Sequence, residues 1–235
     1  MKKSLILLSL AAVLMAADNT GEFKTHTELS YIKTGGNTDT QSLGLDFHGE
    51  KSWQPHKLSL DFEAFYAEND GDVNKNVWKT ELNYYYIFSD DIEFNYLVGY
   101  KQDQFSGYDY QFYTGPGMLY RVMQRDPHKL SVYGNILYSI DKIENGDTDS
   151  YASWLAGFDY EYKFNENVKF KEEANIRSQF SDFENYFVYS KTSVYSKMTE
   201  NLSLGVSYKI DYKNQPPAGK KNTDTTLMVS LVVDW

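Results

Sequence analysis

The feature that most constrains this chain is a period-two alternation of apolar and polar residues that runs from about residue 22 to the C-terminus. Leu202, Leu204, Val206, Tyr208, Ile210 and Tyr212 alternate with Ser203, Gly205, Ser207, Lys209 and Asp211. Ile92, Phe94, Tyr96, Val98 and Tyr100 share one face, with Leu97 as an exception on the other. Leu58 to Tyr66, Trp78 to Phe88 and Leu227 to Trp235 repeat the pattern. A helix would scatter these side chains around its axis, whereas a strand sends them to one side of a sheet. The chain therefore reads as all-β.

Two kinds of turn separate the strands, and they alternate strictly. Short ones stand at 54–56, 89–91, 125–128, 165–167 and 199–201. Those richer in Gly and acid stand at 35–38, 69–72, 106–107, 145–147 and 216–222, with Ser181-Asp182 completing the set. Strict alternation is what an up-and-down meander produces, one set at each end. The expected strands are 22–34, 39–53, 57–69, 76–89, 92–105, 108–123, 129–143, 149–164, 168–180, 185–198, 202–214 and 223–235. No linker or composition shift divides residues 18–235, so one domain is expected. Pro116, between Gly115 and Gly117, cannot donate to a ladder, and a bulge or kink is expected there.

Residues 1–17 read as a signal peptide. Lys2 and Lys3 precede an apolar stretch from Leu5 to Met15, too short to span a bilayer, and cleavage is expected near Ala16 or Ala17. Cysteine is absent, which rules out a lipoprotein anchor, a disulfide framework and thiolate metal sites. The net charge of −10 disfavours nucleic acid as a partner.

Alternation alone does not tell a soluble barrel from a membrane barrel, because the faces are merely exchanged. Three features favour the membrane. The chain holds 21 Tyr, many near strand ends on the apolar face, where a ring with a polar tip suits a bilayer interface. The polar face mixes signs, as in Lys79 and Glu81, Lys169, Lys171 and Glu173, or Lys209 and Asp211, which suits a narrow polar lumen. The last strand ends on an aromatic, with Leu227, Val229, Leu231, Val233 and Trp235 in alternation, in the manner of a C-terminal signal for the barrel-insertion machinery. The expectation is a closed antiparallel up-and-down transmembrane β-barrel of about twelve strands in a bacterial outer membrane, since lipid leaves no partner for an open edge.

Chemistry-bearing motifs are sparse. His26 and His48 fall on polar faces, His56 and His128 in short turns, and no compact His-x-Ser element accompanies them. They read as lumen or turn residues; the alternative is an outer-membrane hydrolase using His26 or His48. The acidic tips 69–72 and 145–149 lack EF-hand spacing and read as solvated turns. Lys220-Lys221 forms a basic tip suited to lipopolysaccharide phosphates. No catalytic, cofactor or metal residue is singled out.

Three stretches together resemble the bacterial family catalogued as domain of unknown function 481, often labelled salt-induced outer membrane protein. They are Thr34 to Leu43, Phe105-Ser106-Gly107-Tyr108-Asp109-Tyr110, and Pro216 to Thr225, all at the Gly- and acid-rich turns. The resemblance covers the mature chain and implies an outer-membrane barrel without catalytic residues. Gly115-Pro116-Gly117 departs from the glycine-rich strand expected there. The expected function is a non-enzymatic barrel, either a narrow pore for small ions or solutes or an envelope-stability protein in osmotic or salt stress. A hydrolase and a soluble periplasmic lipocalin-like barrel are the alternatives. Expected partners are outer-membrane lipid, lipopolysaccharide and the insertion machinery.

Overall fold

A computed structural model describes residues 21–36 and 39–235. The expected leader and its cleavage near Ala16 or Ala17 lie outside the described residues, as do Asn37 and Thr38. Twelve strands form: β1 (Glu22–Thr34), β2 (Thr40–Trp53), β3 (His56–Asn69), β4 (Asp72–Ile87), β5 (Ile92–Asp103), β6 (Tyr108–Arg125), β7 (His128–Ile143), β8 (Thr148–Lys163), β9 (Val168–Gln179), β10 (Tyr186–Lys197), β11 (Leu202–Lys213) and β12 (Thr223–Asp234). Each pairs antiparallel with its sequence neighbours, and β1 meets β12 to close the barrel. Closure satisfies backbone groups that lipid could not.

The faces settle the choice between water and membrane. Leu204, Val206 and Tyr208 are 46%, 44% and 43% exposed on the outside, whereas the intervening Ser207 and Lys209 are 0% and 8% exposed inside. Leu227, Val229 and Leu231 likewise point outward. An apolar exterior around a charged interior is the order of a transmembrane barrel.

Two aromatic belts bound the apolar band. At the short-turn end, His56 packs on Trp53, Tyr84 and Tyr86, and His128 on Tyr160 and Tyr162, with Phe88 and Phe164 extending the ring contacts. At the loop end, Trp78 stacks on Tyr100 at 5.0 Å and Tyr100 on Tyr110, and Tyr186 packs on Tyr212. Trp78 and Tyr86 lie eight residues apart on one face of β4. At about 3.4 Å per residue and a tilt of roughly 40°, that is about 21 Å along the axis.

Two details differ from the sequence reading. β4 begins at Asp72 rather than near 76, because Asp70 and Gly71 both take positive φ (50° and 84°) and turn the chain in two residues. Pro116 produces no shift of register: Thr114↔Tyr138 and Gly117↔Asn135 lie on one register, and only Gly115 and Pro116 drop from the ladder to β7. The proline keeps its place opposite Tyr96 on the β5 side, so its missing donor faces only β7. The bulges of β6 occur instead between Tyr108/Tyr110 and Arg121/Met123. Leu97, the exception in the β5 pattern, faces inward and packs with Tyr113, Leu137 and Leu155 in a small apolar patch on the lumen wall.

One carboxylate breaks the exterior pattern. Glu172 of β9 projects outward and accepts hydrogen bonds from Ser190 Oγ (2.8 Å) and Thr192 Oγ1 (2.6 Å) of β10.

Candidate functional site

The inward positions of the twelve strands carry most of the charge, and these side chains meet across the lumen. Lys191 of β10 reaches Glu28 at 2.7 Å and Asp46 at 2.8 Å. Lys209 of β11 reaches Asp46 at 2.8 Å and Glu63 at 2.6 Å. Glu28 also accepts hydrogen bonds from Tyr195 (2.8 Å) and Ser230 (3.1 Å). Buried charges persist only when paired and hydrogen-bonded in this way.

Two contacts join opposite walls. In a twelve-strand ring β5 and β11 are diametrically opposed, as are β4 and β10. Lys101 of β5 pairs with Asp211 of β11 at 2.6 Å. Lys79 of β4 lies 5.0 Å from the centre of the Tyr189 ring of β10 and pairs with Glu81 at 3.0 Å. Tyr189 in turn donates to Glu63 at 3.2 Å. Nearer the loop end, Arg177 sits over Tyr113 and Phe187, donates to Ser139 at 3.0 Å and faces Asp141 at 3.6 Å. These layers leave a cavity of only about 40 Å³ among Lys75, Lys101, Lys209 and Asp211.

The loops cover the same end. Gly107 lies so close to Pro217 that a Cβ would come within 2.9 Å of its ring, and its φ of +82° is one that glycine adopts freely. Lys213 donates to Ser106 O at 3.3 Å and lies over the Tyr108 ring. Two of the three stretches that carry the family resemblance thus touch each other across the mouth.

The short-turn end is different. A cavity of about 330 Å³ opens below the bridged layers, lined by carboxylates that outnumber lysines eight to three. A wider mouth of about 430 Å³ continues it, and the two share His26, His48, Glu50 and Lys171. The lumen is therefore a blind vestibule, entered from the short-turn end.

The histidines go to two places. His26 and His48 line the vestibule, as their parity on the polar face predicts. His26 Nδ1 lies 2.5 Å from Asp234 and its Nε2 3.2 Å from Glu28, so both ring nitrogens face carboxylates. His48 Nδ1 lies 2.6 Å from Asp61. His56 and His128 join the outer belt through Tyr84 and Tyr160. The C-terminal residues read as an insertion signal lie on β12, with Trp235 exposed at the short-turn end and its backbone joined to Thr25 by N–H···O bonds in both directions.

A match to the family described as "Protein of unknown function, DUF481" runs over residues 27–235. The chain belongs to this family. No curated protein matches the DUF481 chain by sequence. Among solved structures it is similar to the NanC porin (TM-score 0.51, 11% identity, covering 89% of this chain and 96% of the porin). It is also similar to the COG4313 outer membrane channel from Pseudomonas putida F1 (TM-score 0.52, 9% identity, covering 93% and 97%). At that identity the likeness is one of fold, the outer-membrane barrel.

Sequence parity placed Lys79, Glu81, Lys171, Glu173, Arg177, Lys191, Lys209 and Asp211 inside this DUF481 barrel, but not which of them meet. Lys101 and Tyr189, which complete the bridges, were not singled out. Their signal was the same inward parity on β5 and β10.

Proposed function

We propose that this DUF481 barrel is a non-enzymatic protein of the bacterial outer membrane whose lumen is a narrow path for ions or small polar solutes, closed in the conformation described. The observation that carries this reading is the charged vestibule that ends on the Lys101–Asp211 and Lys79–Tyr189 bridges. These contacts are polar and exchangeable with water, so parting them would join the vestibule to the loop end.

The even strand number puts both ends of the barrel domain on one side, and short turns belong on the periplasmic side of such barrels. The vestibule then opens to the periplasm and the Gly- and acid-rich loops face outward, with Lys220-Lys221 toward lipopolysaccharide phosphates. Leu227, Val229, Leu231, Val233 and Trp235 serve as the insertion signal in this scheme, after removal of the leader. The diametric bridges also favour a second reading, an envelope-stability role under osmotic stress in which the lumen stays shut.

Planar-bilayer recording separates the two. The path reading expects small, infrequent discrete steps from the wild type. It expects larger unit steps from the Lys101→Ala/Asp211→Ala double variant, which removes a bridge without leaving a lone charge. Silence from both proteins at high input would overturn the path reading in favour of the shut barrel.

A further inference from the structure

The geometry points to a binding site for linear organic polyammonium ions in the vestibule. The lysines of its wall are all engaged: Lys79 with Glu81, Lys171 with Glu173 at 2.7 Å, and Lys191 with Glu28 and Asp46. Toward the mouth the wall adds Glu50, Asp61 and Asp159, while Lys24, paired with Glu22, and Lys169, over the Tyr195 ring, stand at the outer rim. Asp159 of β8 makes no hydrogen bond or ion pair among the described residues; it stands opposite Glu173 of β9, two residues from Lys171, and lines the cavity together with Asp61 and His48. Glu50 accepts a long hydrogen bond from Ser52 Oγ at 3.4 Å and lies 3.7 Å from Lys57, which is closer to Glu93 at 2.9 Å, so no cation is bound tightly to it. Asp61 has only His48.

A second observation is independent of these carboxylates. Asn95 lines the cavity at 5% exposure, and its Oδ1 has no hydrogen-bond partner. A buried acceptor without a donor is a costly arrangement that a ligand N–H relieves.

The wall itself shows how it holds an alkylammonium. Lys57 lies 4.1 Å from the Tyr85 ring centre and Lys169 5.2 Å from that of Tyr195, each ammonium over an aromatic face. Tyr85 and Tyr195 both line the cavity. Carboxylates beside aromatic faces suit a chain of methylenes bearing several ammonium groups. A single metal ion fits less well, since among the described residues no three His, Asp or Glu side chains converge as metal ligands. About 330 Å³ accommodates a short chain of this kind. The site stands on the vestibule alone, so a barrel that conducts nothing would bind as well as one that conducts.

The test is isothermal titration of the folded barrel in zwitterionic detergent at low ionic strength, with spermidine as the probe. Saturable one-to-one binding is expected. Asp159→Asn, which breaks no existing bond, should weaken it about tenfold, the worth of one charge-assisted contact. Glu50→Gln should act in the same direction, and Glu166→Gln, in a short turn, should leave binding unchanged. Absence of saturable heat would overturn the proposal, as would wild-type affinity in both vestibule variants. Displacement of spermidine by an equal concentration of magnesium ion would also overturn it, because that is the behaviour of a diffuse counterion cloud. Conductance is not read in this assay, so its outcome is independent of whether the lumen opens.

Discussion

At the scale of single residues, Lys191 shows how much of the interior depends on matched charge. Its ammonium is shared by Glu28 and Asp46, and all three side chains are nearly inaccessible to water. Removing one partner from such a group leaves charge buried without compensation, which costs far more than the pair itself contributes. Lys191→Met keeps the length of the side chain and deletes the charge. It should lower stability by about 3–5 kcal/mol, read as a fall in the denaturant midpoint of the folded, heat-modifiable form. Adding Asp46→Asn should restore part of that loss, since the amide needs no cation. Glu172 makes the complementary point on the outer surface, where two hydroxyls from the next strand do the work of a counter-ion.

At the scale of the strand, β6 and β7 show where backbone proximity rather than side-chain chemistry fixes the sequence. A Cβ on Gly115 would stand 2.0 Å from the carbonyl oxygen of Ile136, a backbone atom that cannot swing aside. On Gly134 the nearest atom would be 3.5 Å away, an ordinary contact. Gly115→Ala should therefore reduce the yield of folded barrel and cost about 1–3 kcal/mol in what folds, while Gly134→Ala should behave as wild type in the same denaturant titration. Elements of this kind were largely legible in the sequence, because lipid and lumen impose opposite demands on alternate residues and the alternation records both. Leu97 stands in that record as an apolar residue on the polar face, and it is there that it packs, in the small inward patch with Tyr113, Leu137 and Leu155. The misplaced start of β4 has a local cause, since Asp70-Gly71 is a complete turn by itself. Of the bulge or kink expected at Pro116, the bulge is not formed, because a proline between two neighbouring strands offends only one of them, and the ladder to β7 skips Gly115 and Pro116 without changing register. What the sequence could not carry was the partner of each inward charge. Lys101 and Asp211 are 110 residues apart, and only the stagger of twelve closed strands sets them at one height.

At the scale of the whole molecule, the two ends are unlike, and the proposed function depends on which end faces which compartment. The absence of cysteine makes the orientation directly measurable. Asp72→Cys, at a loop-end turn, should react with a membrane-impermeant maleimide on intact cells, and Glu166→Cys, at a short turn, only after the outer membrane is permeabilised. The reverse pattern would place the vestibule on the cell surface and refute the proposed topology. The contacts between β5 and β11 and between β4 and β10 carry a mechanical consequence as well. A hollow cylinder of thin wall flattens into an ellipse when squeezed from the side, and only its wall stiffness resists. Struts across the diameter oppose that flattening directly, so this cylinder should hold a round cross-section when lateral pressure in the surrounding lipid rises.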